Sequence, residues 1–269
     1  MRITSRIAVV VSFAIPLLAG CNLPGKPKDG PEVPRPEEIL SYKTLYATNC
    51  AGCHGANGQL GAATNLANPV YQALIDDATL RDVIANGEDG TLMPGFSEKT
   101  GGTLTDEQID VLVKGMRAEW SKGNVLAGQN APPYKAAHAG DATKGADVYA
   151  AACARCHGET VQKPGRAGAI LDGSFLALVN AQTIRTTILA GRPDLGMPDW
   201  RGQRKDRALT DDEVTDLTAW LMSQKPELPG QPYGNAPAPA AAPAAKIASA
   251  PAAHRAPVTA PAAAAPTKP

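Results

Sequence analysis

The chain has 269 residues, with 26 Lys and Arg against 26 Asp and Glu, so its formal net charge is zero. Its length leaves room for two small domains and connecting segments, and the balanced charge gives no reason to expect nucleic acid or an anionic membrane surface as a partner. Aromatic residues make up only 4% of the chain. A small domain with so modest an apolar core gains stability from a bound metal or a covalent cross-link.

The N-terminus is typical of an export signal. Two arginines precede an apolar run over residues 7–18, which is shorter than the roughly 20 apolar residues of a membrane-spanning helix. Residues 18–21, LAGC, resemble the lipobox of bacterial lipoproteins, in which Cys21 receives lipid and becomes the mature N-terminus. The alternatives are an uncleaved short anchor and a plain secretory signal beside a chance cysteine. We predict a signal peptide over residues 1–21 and a mature chain outside the cytoplasm.

Three segments have the composition of connectors. Residues 22–37 are rich in proline, glycine and charge, which suits an extended tether. Residues 121–141 form a second loose stretch, which we interpret as a linker. Residues 225–269 are almost wholly alanine and proline after a short start. Such a segment cannot bury a core, so we predict a disordered or partly polyproline II tail.

The remaining segments, 38–120 and 142–224, repeat one another. A shift of 103 residues superposes YATNCAGCHG on YAAACARCHG, and a shift of 104 superposes ALIDDATLRDVIANGEDGTLMPGF on ALVNAQTIRTTILAGRPDLGMPDW. The phrases LTDEQIDVL and LTDDEVTDL correspond after a further shift. We therefore predict a duplicated domain.

Each copy is predicted to be helical. A glycine follows each short helix, and a Thr or Asp N-cap with early acidic residues opens each final helix. No alternating strand pattern of useful length occurs, so we predict an all-α fold. The expected helices are 39–53 and 146–156, then 79–85 and 183–190, and last a pair that starts at LTDEQ and LTDDE and ends near Trp120 and Ser223.

Four of the five cysteines lie in two copies of Cys-x-x-Cys-His, CAGCH at 50–54 and CARCH at 153–157. This pattern is typical of covalent attachment of c-type haem, in which both cysteines add to the vinyl groups and the histidine binds the iron. If Cys21 carries lipid, no cysteine remains for a disulfide or a thiol nucleophile. A lone copy would also fit half a zinc site or simple chance, whereas two copies behind an export signal are much more specific.

A methionine within a Met-Pro pair follows each motif at nearly the same distance. Met93 lies 39 residues after His54, and Met197 lies 40 residues after His157. A thioether is a soft ligand, and a His/Met pair raises the reduction potential of haem iron. A gap-filling position in the core is the alternative for each methionine, but the repeated position favours ligation.

Residues 38–120 and 142–224 each resemble a class I cytochrome c domain, and the whole chain resembles a dihaem cytochrome c of bacterial electron transfer. The order of helix, Cys-x-x-Cys-His, loop, helix, methionine and helix is present twice and covers most of the chain outside its tails. The resemblance implies two covalently bound haem c groups, each with its iron. It assigns Cys50, Cys53, His54 and Met93 to the first haem, and Cys153, Cys156, His157 and Met197 to the second.

One departure from the family concerns the loop after each histidine. Family members often carry a proline there, whose carbonyl accepts a hydrogen bond from the second ring nitrogen of the histidine. The first copy has GAATNL in this place and the second has AGAIL, with Pro164 early in the loop. The partner that fixes each ring is therefore unassigned from the sequence.

Several other residues occupy equivalent or nearby places in the two copies. Arg81, Arg185 and Arg192 are candidates for pairing with haem propionates, although a solvent-exposed helix arginine is the plainer interpretation of the first two. Phe96 and Trp200 are expected to pack near the loops that carry Met93 and Met197, which we call the methionine loops.

These features favour an electron carrier, because an iron held by both His and Met leaves no position for a small-molecule substrate. The alternative is a haem enzyme, such as a dihaem peroxidase or a thiosulfate-oxidising cytochrome, which usually needs another histidine, a cysteine thiolate or an open site. The remaining histidines, His138 and His254, fall in the predicted linker and tail. A zinc module is a third class, but the two cysteine pairs lie a domain apart, whereas zinc sites usually complete four ligands locally.

We expect the protein to exchange single electrons with respiratory or photosynthetic redox partners in the cell envelope, on the periplasmic side of a bacterial membrane. Two forms fit this expectation: a lipid-tethered shuttle and a fixed subunit of a larger membrane oxidoreductase. Asn22 after the lipid-bearing Cys21 favours the outer membrane where that sorting rule operates.

Overall fold

A computed structural model describes residues 33–226 of the chain. The predicted signal peptide, Cys21, most of the predicted tether and nearly all of the predicted tail lie outside the described residues. Within the described part, no helix combines the length and the apolar character needed to cross a membrane.

The N-terminal half, residues 42–120, is built from helices whose starts are capped by side chains. Ser41, Asn68, Asp76 and Thr105 each accept a hydrogen bond from a backbone N–H in the first turn of the following helix, which satisfies a donor that the helix itself leaves unpaired. The helices are α1 (Tyr42–Asn49), α2 (Ala51–His54), α3 (Pro69–Leu74), α4 (Asp77–Asn86) and α5 (Asp106–Trp120).

The C-terminal half, residues 142–223, follows the same order. Its helices start at Asp141, Asp172, Asn180 and Thr210 in the same manner, so the caps are repeated together with the helices. The helices are α6 (Ala142–Ala152), α7 (Ala154–His157), α8 (Gly173–Ala177), α9 (Ala181–Ala190) and α10 (Asp211–Ser223). Three short 3₁₀ turns complete the described secondary structure: Pro36–Glu38, Glu98–Thr100 and Pro193–Leu195.

The first predicted helix of each copy is divided at a cysteine. Cys50 has φ −118° and Cys153 has φ −110°, so α1 and α6 end there and a single turn, α2 or α7, carries the rest of each motif. The predicted continuous helices over 39–53 and 146–156 were wrong at this point.

The mostly helical fold contains one strand pair that the all-α prediction missed. Strand β1 (Gly158–Thr160) pairs antiparallel with β2 (Lys163–Pro164), directly after the second motif. The strands have three and two residues, which is too short for an alternating pattern to show in the sequence.

The core of each half lies where its last helix meets its first. In the C-terminal half α10 runs along α6, where the Tyr149 and Trp220 rings lie 4.4 Å apart between centroids. In the N-terminal half α5 contacts α1 and α4, and Tyr46 meets Trp120 at 5.2 Å, nearly edge to face. These equivalent aromatic pairs lie beside the first cysteine of each motif, which each Tyr precedes by one helical turn.

The segment over residues 121–141 contains no helix or strand in the structure, but it contacts the C-terminal half closely. The carbonyl oxygens of Pro133 and Tyr134 accept hydrogen bonds from Arg185 on α9. Arg185 also donates to Thr215 and Asp211 on α10, and only 2% of its side chain is exposed. The expectation of an exposed helix arginine was therefore wrong for Arg185, whose partners all come from the protein itself.

Candidate haem sites

A cavity of about 340 Å³ in the C-terminal half brings together the four residues that the sequence predicts for the second haem. The cysteines and His157 come from the turn around α7, and Met197 comes from the loop after α9, about forty residues later. The cavity wall also contains Leu195, which is 65% exposed. Two thiols, an imidazole, a thioether and an apolar wall are the donor set and surface that a covalently attached porphyrin needs, so these residues fit haem c.

The local fold positions each motif through a hydrogen bond from the tyrosine four residues before its first cysteine. Tyr149 Oη donates to the carbonyl oxygen of Gly158 at 2.7 Å, and Tyr46 Oη donates to that of Gly55 at 2.8 Å. Each glycine directly follows the histidine of its motif and has a positive φ, 83° at Gly55 and 90° at Gly158. The tyrosine therefore ties the end of the motif back to the helix that precedes it.

The two cysteines of each motif differ in exposure. Cys50 and Cys153 are buried, whereas Cys53 is exposed and Cys156 is half-buried. Burial raises the pKa of the Cys50 thiol to about 11 and that of the Cys153 thiol to about 12. Both buried thiols are thus protonated at neutral pH, in agreement with a chemistry in which a thiol adds across a vinyl group.

Each histidine ring is held by a backbone carbonyl of the loop that follows it. His54 Nδ1 donates to Thr64 O at 2.8 Å, and His157 Nδ1 donates to Gly168 O at 3.2 Å. The hydrogen is then on Nδ1, and Nε2 of each ring has a free lone pair. This is the tautomer that a histidine needs to bind a metal through Nε2. The structure therefore supplies the ring partner that the sequence left unassigned, and Pro164 is not that partner. Burial lowers the pKa of His54 and favours its neutral form.

Each methionine loop closes against the glycine that ends the helix before it. Gly87 has φ +81° and Gly191 has φ +68°. A Cβ atom built at Gly191 would lie 2.5 Å from the carbonyl carbon of Pro198, and one at Gly87 would lie 2.7 Å from Met93 O. Only glycine combines this backbone angle with so close an approach, so these glycines set the position of the Met-Pro pairs as well as the ends of the helices.

The N-terminal half carries its predicted site residues on the same elements. Cys50, Cys53 and His54 surround α2, and Met93 lies half-buried in the loop after α4. Its backbone is held at both sides, since Met93 N donates to Thr91 Oγ1 at 3.1 Å and Met93 O accepts from Glu88 N at 3.0 Å.

Three residues that sequence reasoning missed line the cavity of the C-terminal half: Arg155, Arg166 and Gln203. Arg155 is a variable position of its motif and corresponds to Gly52 in the first copy. Gln203 is buried, and its Oε1 is without a hydrogen-bond partner among the described residues. No repeated pattern marks these positions, because the first copy has no equivalent of either arginine.

The other candidate residues have partners within the protein. Arg81 pairs with Asp110 at 2.7 Å and Asp106 at 3.0 Å, half-exposed on α4. Arg192 pairs with Asp194 at 2.8 Å. Trp200 is buried with 2% of its surface exposed, and Phe96 is half-buried, as expected for residues that pack behind the methionine loops. Among residues 33–226, no group of three or more His, Cys, Asp or Glu side chains is arranged to hold a bare metal ion.

Comparison with known proteins identifies two matching stretches. The family described as cytochrome c oxidase, cbb3-type, subunit III matches residues 37–114 and again residues 140–221. Both stretches contain one Cys-x-x-Cys-His motif and one methionine loop.

Two similar proteins are named as subunits of cbb3-type cytochrome c oxidases. The CcoP subunit of a cbb3-type cytochrome c oxidase from Azospirillum sp. (strain B510) is 29% identical over 204 residues, which cover 66% of this chain and 62% of the relative. The FixP subunit of a cbb3-type oxidase from Azorhizobium caulinodans is 32% identical over 195 residues, which cover 63% of this chain and 57% of the relative. The chain thus spans about three-fifths of the length of these two relatives.

A solved structure, the reducing HAO-like protein complex of Kuenenia stuttgartiensis, matches 72% of this chain and all of its own chain, with a TM-score of 0.42 and 19% identity. The family match rests on sequence, and its two stretches together make up more than half of the chain. The protein therefore belongs to the cbb3-type cytochrome c oxidase subunit III family of cytochrome c proteins.

Proposed function

We propose that the protein is a dihaem c-type cytochrome that transfers single electrons between redox partners of the bacterial cell envelope. The observation that carries this proposal is the convergence of Cys153, Cys156, His157 and Met197 on one cavity. Residues 38–120 and 142–224 are then two tandem cytochrome c domains, joined by residues 121–141. The repeated order of helices, caps and methionine loops supports this division.

The proposed residue roles are the same in both halves. Cys50 and Cys53, and likewise Cys153 and Cys156, hold haem c through thioether bonds. His54 and His157 provide an imidazole to the iron, and their Nδ1 atoms donate to backbone carbonyls that keep each ring in place. Met93 and Met197 would each provide a thioether sulfur as the other protein ligand of the iron. Bound haem supplies an iron that alternates between its ferrous and ferric states.

The chain's own residues decide what this iron can do. With both an imidazole and a thioether bound, the iron would have no place for a small-molecule substrate, and only electrons would enter and leave. Burial around His54 and the thioether of each methionine favour the less charged, reduced form and so a higher potential. A dihaem peroxidase or a thiosulfate-oxidising cytochrome would need one of these ligands to be absent or replaceable.

We infer that Arg155 and Arg166 pair with the carboxylates of the second haem. Both line its cavity, and a guanidinium offers two parallel donors to a carboxylate. Arg166 lies 3.7 Å from Cys156 Sγ, so its charge is next to the attachment point. Because the first motif has Gly52 in place of Arg155, we expect the two haems to differ in potential.

The location and partners are inferred from the sequence and from the names of relatives. An export signal ending at a lipid-bearing Cys21 would tether the protein to the periplasmic face of a membrane. The named relatives are subunits of oxidases, which supports redox proteins as partners of this chain. In fractionated cells, a Cys21→Ala variant should move from the membrane to the soluble periplasm. If the variant stays with the membrane, that result would instead point to a protein partner or an uncleaved anchor.

The proposal is tested on the purified full-length protein, produced with the machinery for haem c attachment. Mass spectrometry should find two covalent haems, and spectroelectrochemistry should resolve two low-spin, one-electron waves. Met93→Ala and Met197→Ala should each convert one haem to a high-spin form and leave the other low-spin. A wild-type protein without covalent haem, or with a high-spin haem that binds small ligands, would contradict the electron-carrier proposal.

A further inference from the structure

The two methionine loops open with residues that occupy equivalent positions and reach into the opposite half. Glu88 and Arg192 are 104 residues apart, the offset of the repeat in this region. Each donates its backbone N–H to the carbonyl of its own methionine, Glu88 to Met93 and Arg192 to Met197, both at 3.0 Å. Arg192 also accepts from Met197 N at 2.9 Å, which makes a small antiparallel bridge.

The side chain of Arg192 contacts the loop that follows the first Cys-x-x-Cys-His motif. Its Nη2 donates to Gly61 O at 2.9 Å and its Nη1 donates to Ala63 O at 3.1 Å. This arginine is 13% exposed, and Asp194 beside it is 2% exposed. Asp194 in turn accepts from the backbone N–H of Leu60 at 2.9 Å, so the ion pair contacts the loop at Leu60, Gly61 and Ala63.

That loop is the one that holds His54. Ala63 N donates to Cys53 O at 3.0 Å, and the next residue, Thr64, provides the carbonyl that accepts from His54 Nδ1. A Cβ atom at Gly61 would lie 2.2 Å from Cys53 O, so the loop lies directly against the motif. Arg192 therefore contacts Ala63, which is next to Thr64, the residue whose carbonyl accepts the hydrogen bond from His54.

The first methionine loop in turn contacts the C-terminal half through Asn180. Its Nδ2 donates to Glu88 Oε1 and to Asp89 O, both at 2.8 Å, while its Oδ1 caps helix α9. Asn68 caps α3 in the same way and donates to Ala190 O at 2.7 Å, next to Gly191. Each methionine loop is thus anchored by a polar side chain across the boundary between the halves.

We propose that Arg192 is a positioning residue for both redox sites: from the second methionine loop it holds the loop of His54, so a residue of the C-terminal half sets the potential of the first haem. The inference rests on the proposed function, since it concerns the haem that His54 would ligate. Removing the guanidinium leaves the Asp194 carboxylate unpaired beside the first site. A more negative surrounding stabilises ferric iron, and the first haem then becomes easier to oxidise.

The test compares charge variants of the full-length protein in a spectroelectrochemical titration. The wave of the first haem is identified with Met93→His, which moves that wave alone. Arg192→Gln should shift the first wave to lower potential, and Asp194→Asn, which leaves the arginine unpaired, should shift it to higher potential. Arg192→Lys keeps the charge but loses the planar fork that reaches two carbonyls, so it should give a smaller shift than Arg192→Gln.

The matched controls are Arg204→Gln and Asp206→Asn, which make the same charge changes in an ion pair of 3.1 Å with the same sequence spacing within the C-terminal half. These controls should leave the first wave in place. The proposal is overturned if Arg192→Gln and Asp194→Asn leave the first wave where it is, or if they move only the second wave. Absence of covalent haem in the wild-type protein would instead contradict the proposed function, so the two failures are distinguishable. If Arg192→Gln yields no holoprotein, the other two variants test the proposal. Asp194→Asn should move the first wave to higher potential, and Arg192→Lys should move it to lower potential.

Discussion

The hydroxyl of Tyr149 donates a hydrogen bond to the carbonyl oxygen of Gly158, 2.7 Å away and nine residues later in the chain. The bond joins the helix before the second motif to the residue immediately after its histidine. Burial raises the pKa of Tyr149 to about 12, so the hydroxyl remains a donor across the physiological range.

Removing this hydroxyl should destabilise the protein modestly. Tyr149→Phe keeps the ring that packs on Trp220 and loses only the bond to Gly158, so we expect a loss of about 1 kcal/mol in the free energy of unfolding, measured in guanidinium. Tyr149→Leu also loses the aromatic contact and should cost more. Equal losses for the two variants would mean that the hydrogen bond, and not the ring pair, carries the whole contribution of Tyr149.

A methyl group at Gly191 should displace the second methionine loop. Gly191→Ala combines a positive φ with a Cβ atom 2.5 Å from backbone, so the loop must move and Met197 should lose its place at the iron. The expected readout is loss of the methionine-to-iron charge-transfer band from one haem. Gly196→Ala is the control, since Gly196 also has a positive φ but a Cβ there meets nothing within 4 Å. It should cost about 1 kcal/mol of stability from its backbone angle alone and keep the band.

Equivalent arginines of the two halves should differ strongly in their contribution to stability. Arg185 is buried with hydrogen bonds to α10 and to the 121–141 segment, whereas Arg81 is 37% exposed with surface partners. Arg185→Ala leaves Asp211 and the carbonyl of Pro133 without the arginine that donates to them, so we expect a loss of about 3 to 5 kcal/mol. Arg81→Ala should cost about 1 kcal/mol or less. Similar losses in denaturant titrations of the two variants would argue against the buried network around Arg185.

Asp194 should give the protein a specific sensitivity to acid. Hydrogen bonds from Arg192 hold the pKa of Asp194 well below its usual range. Because the folded-state pKa is depressed, its stabilisation is fully present above the unfolded value of about 4 and is lost as the pH falls from there toward the folded value. Unfolding measured between neutral pH and about pH 2 should therefore show a smaller acid-induced loss of stability for Asp194→Asn than for the wild-type protein. The same acid-induced loss in both proteins would show that other carboxylates are responsible.

The sequence by itself was sufficient for the local features of this protein. The two Cys-x-x-Cys-His motifs and the starts of the final helices each depend on residues within about one turn of one another, such as Thr105 with Gln108 and Thr210 with Glu213. Capping and hydrophobic period are properties of neighbouring residues, so they can be predicted from a single chain. The family match confirms the cytochrome c assignment that these local patterns indicated.

The tertiary structure alone decided which partners meet over long separations. Sequence spacing did not indicate that Thr64 and Gly168 would accept from the histidines, because any carbonyl of a loop is chemically equivalent until the chain is folded. The burial of Arg185 and the contact of Arg192 with Ala63, 129 positions away, likewise depend on how distant segments pack. Local propensity specifies the helices and their ends, whereas the environment of each charged side chain is set only when distant segments of the chain pack together.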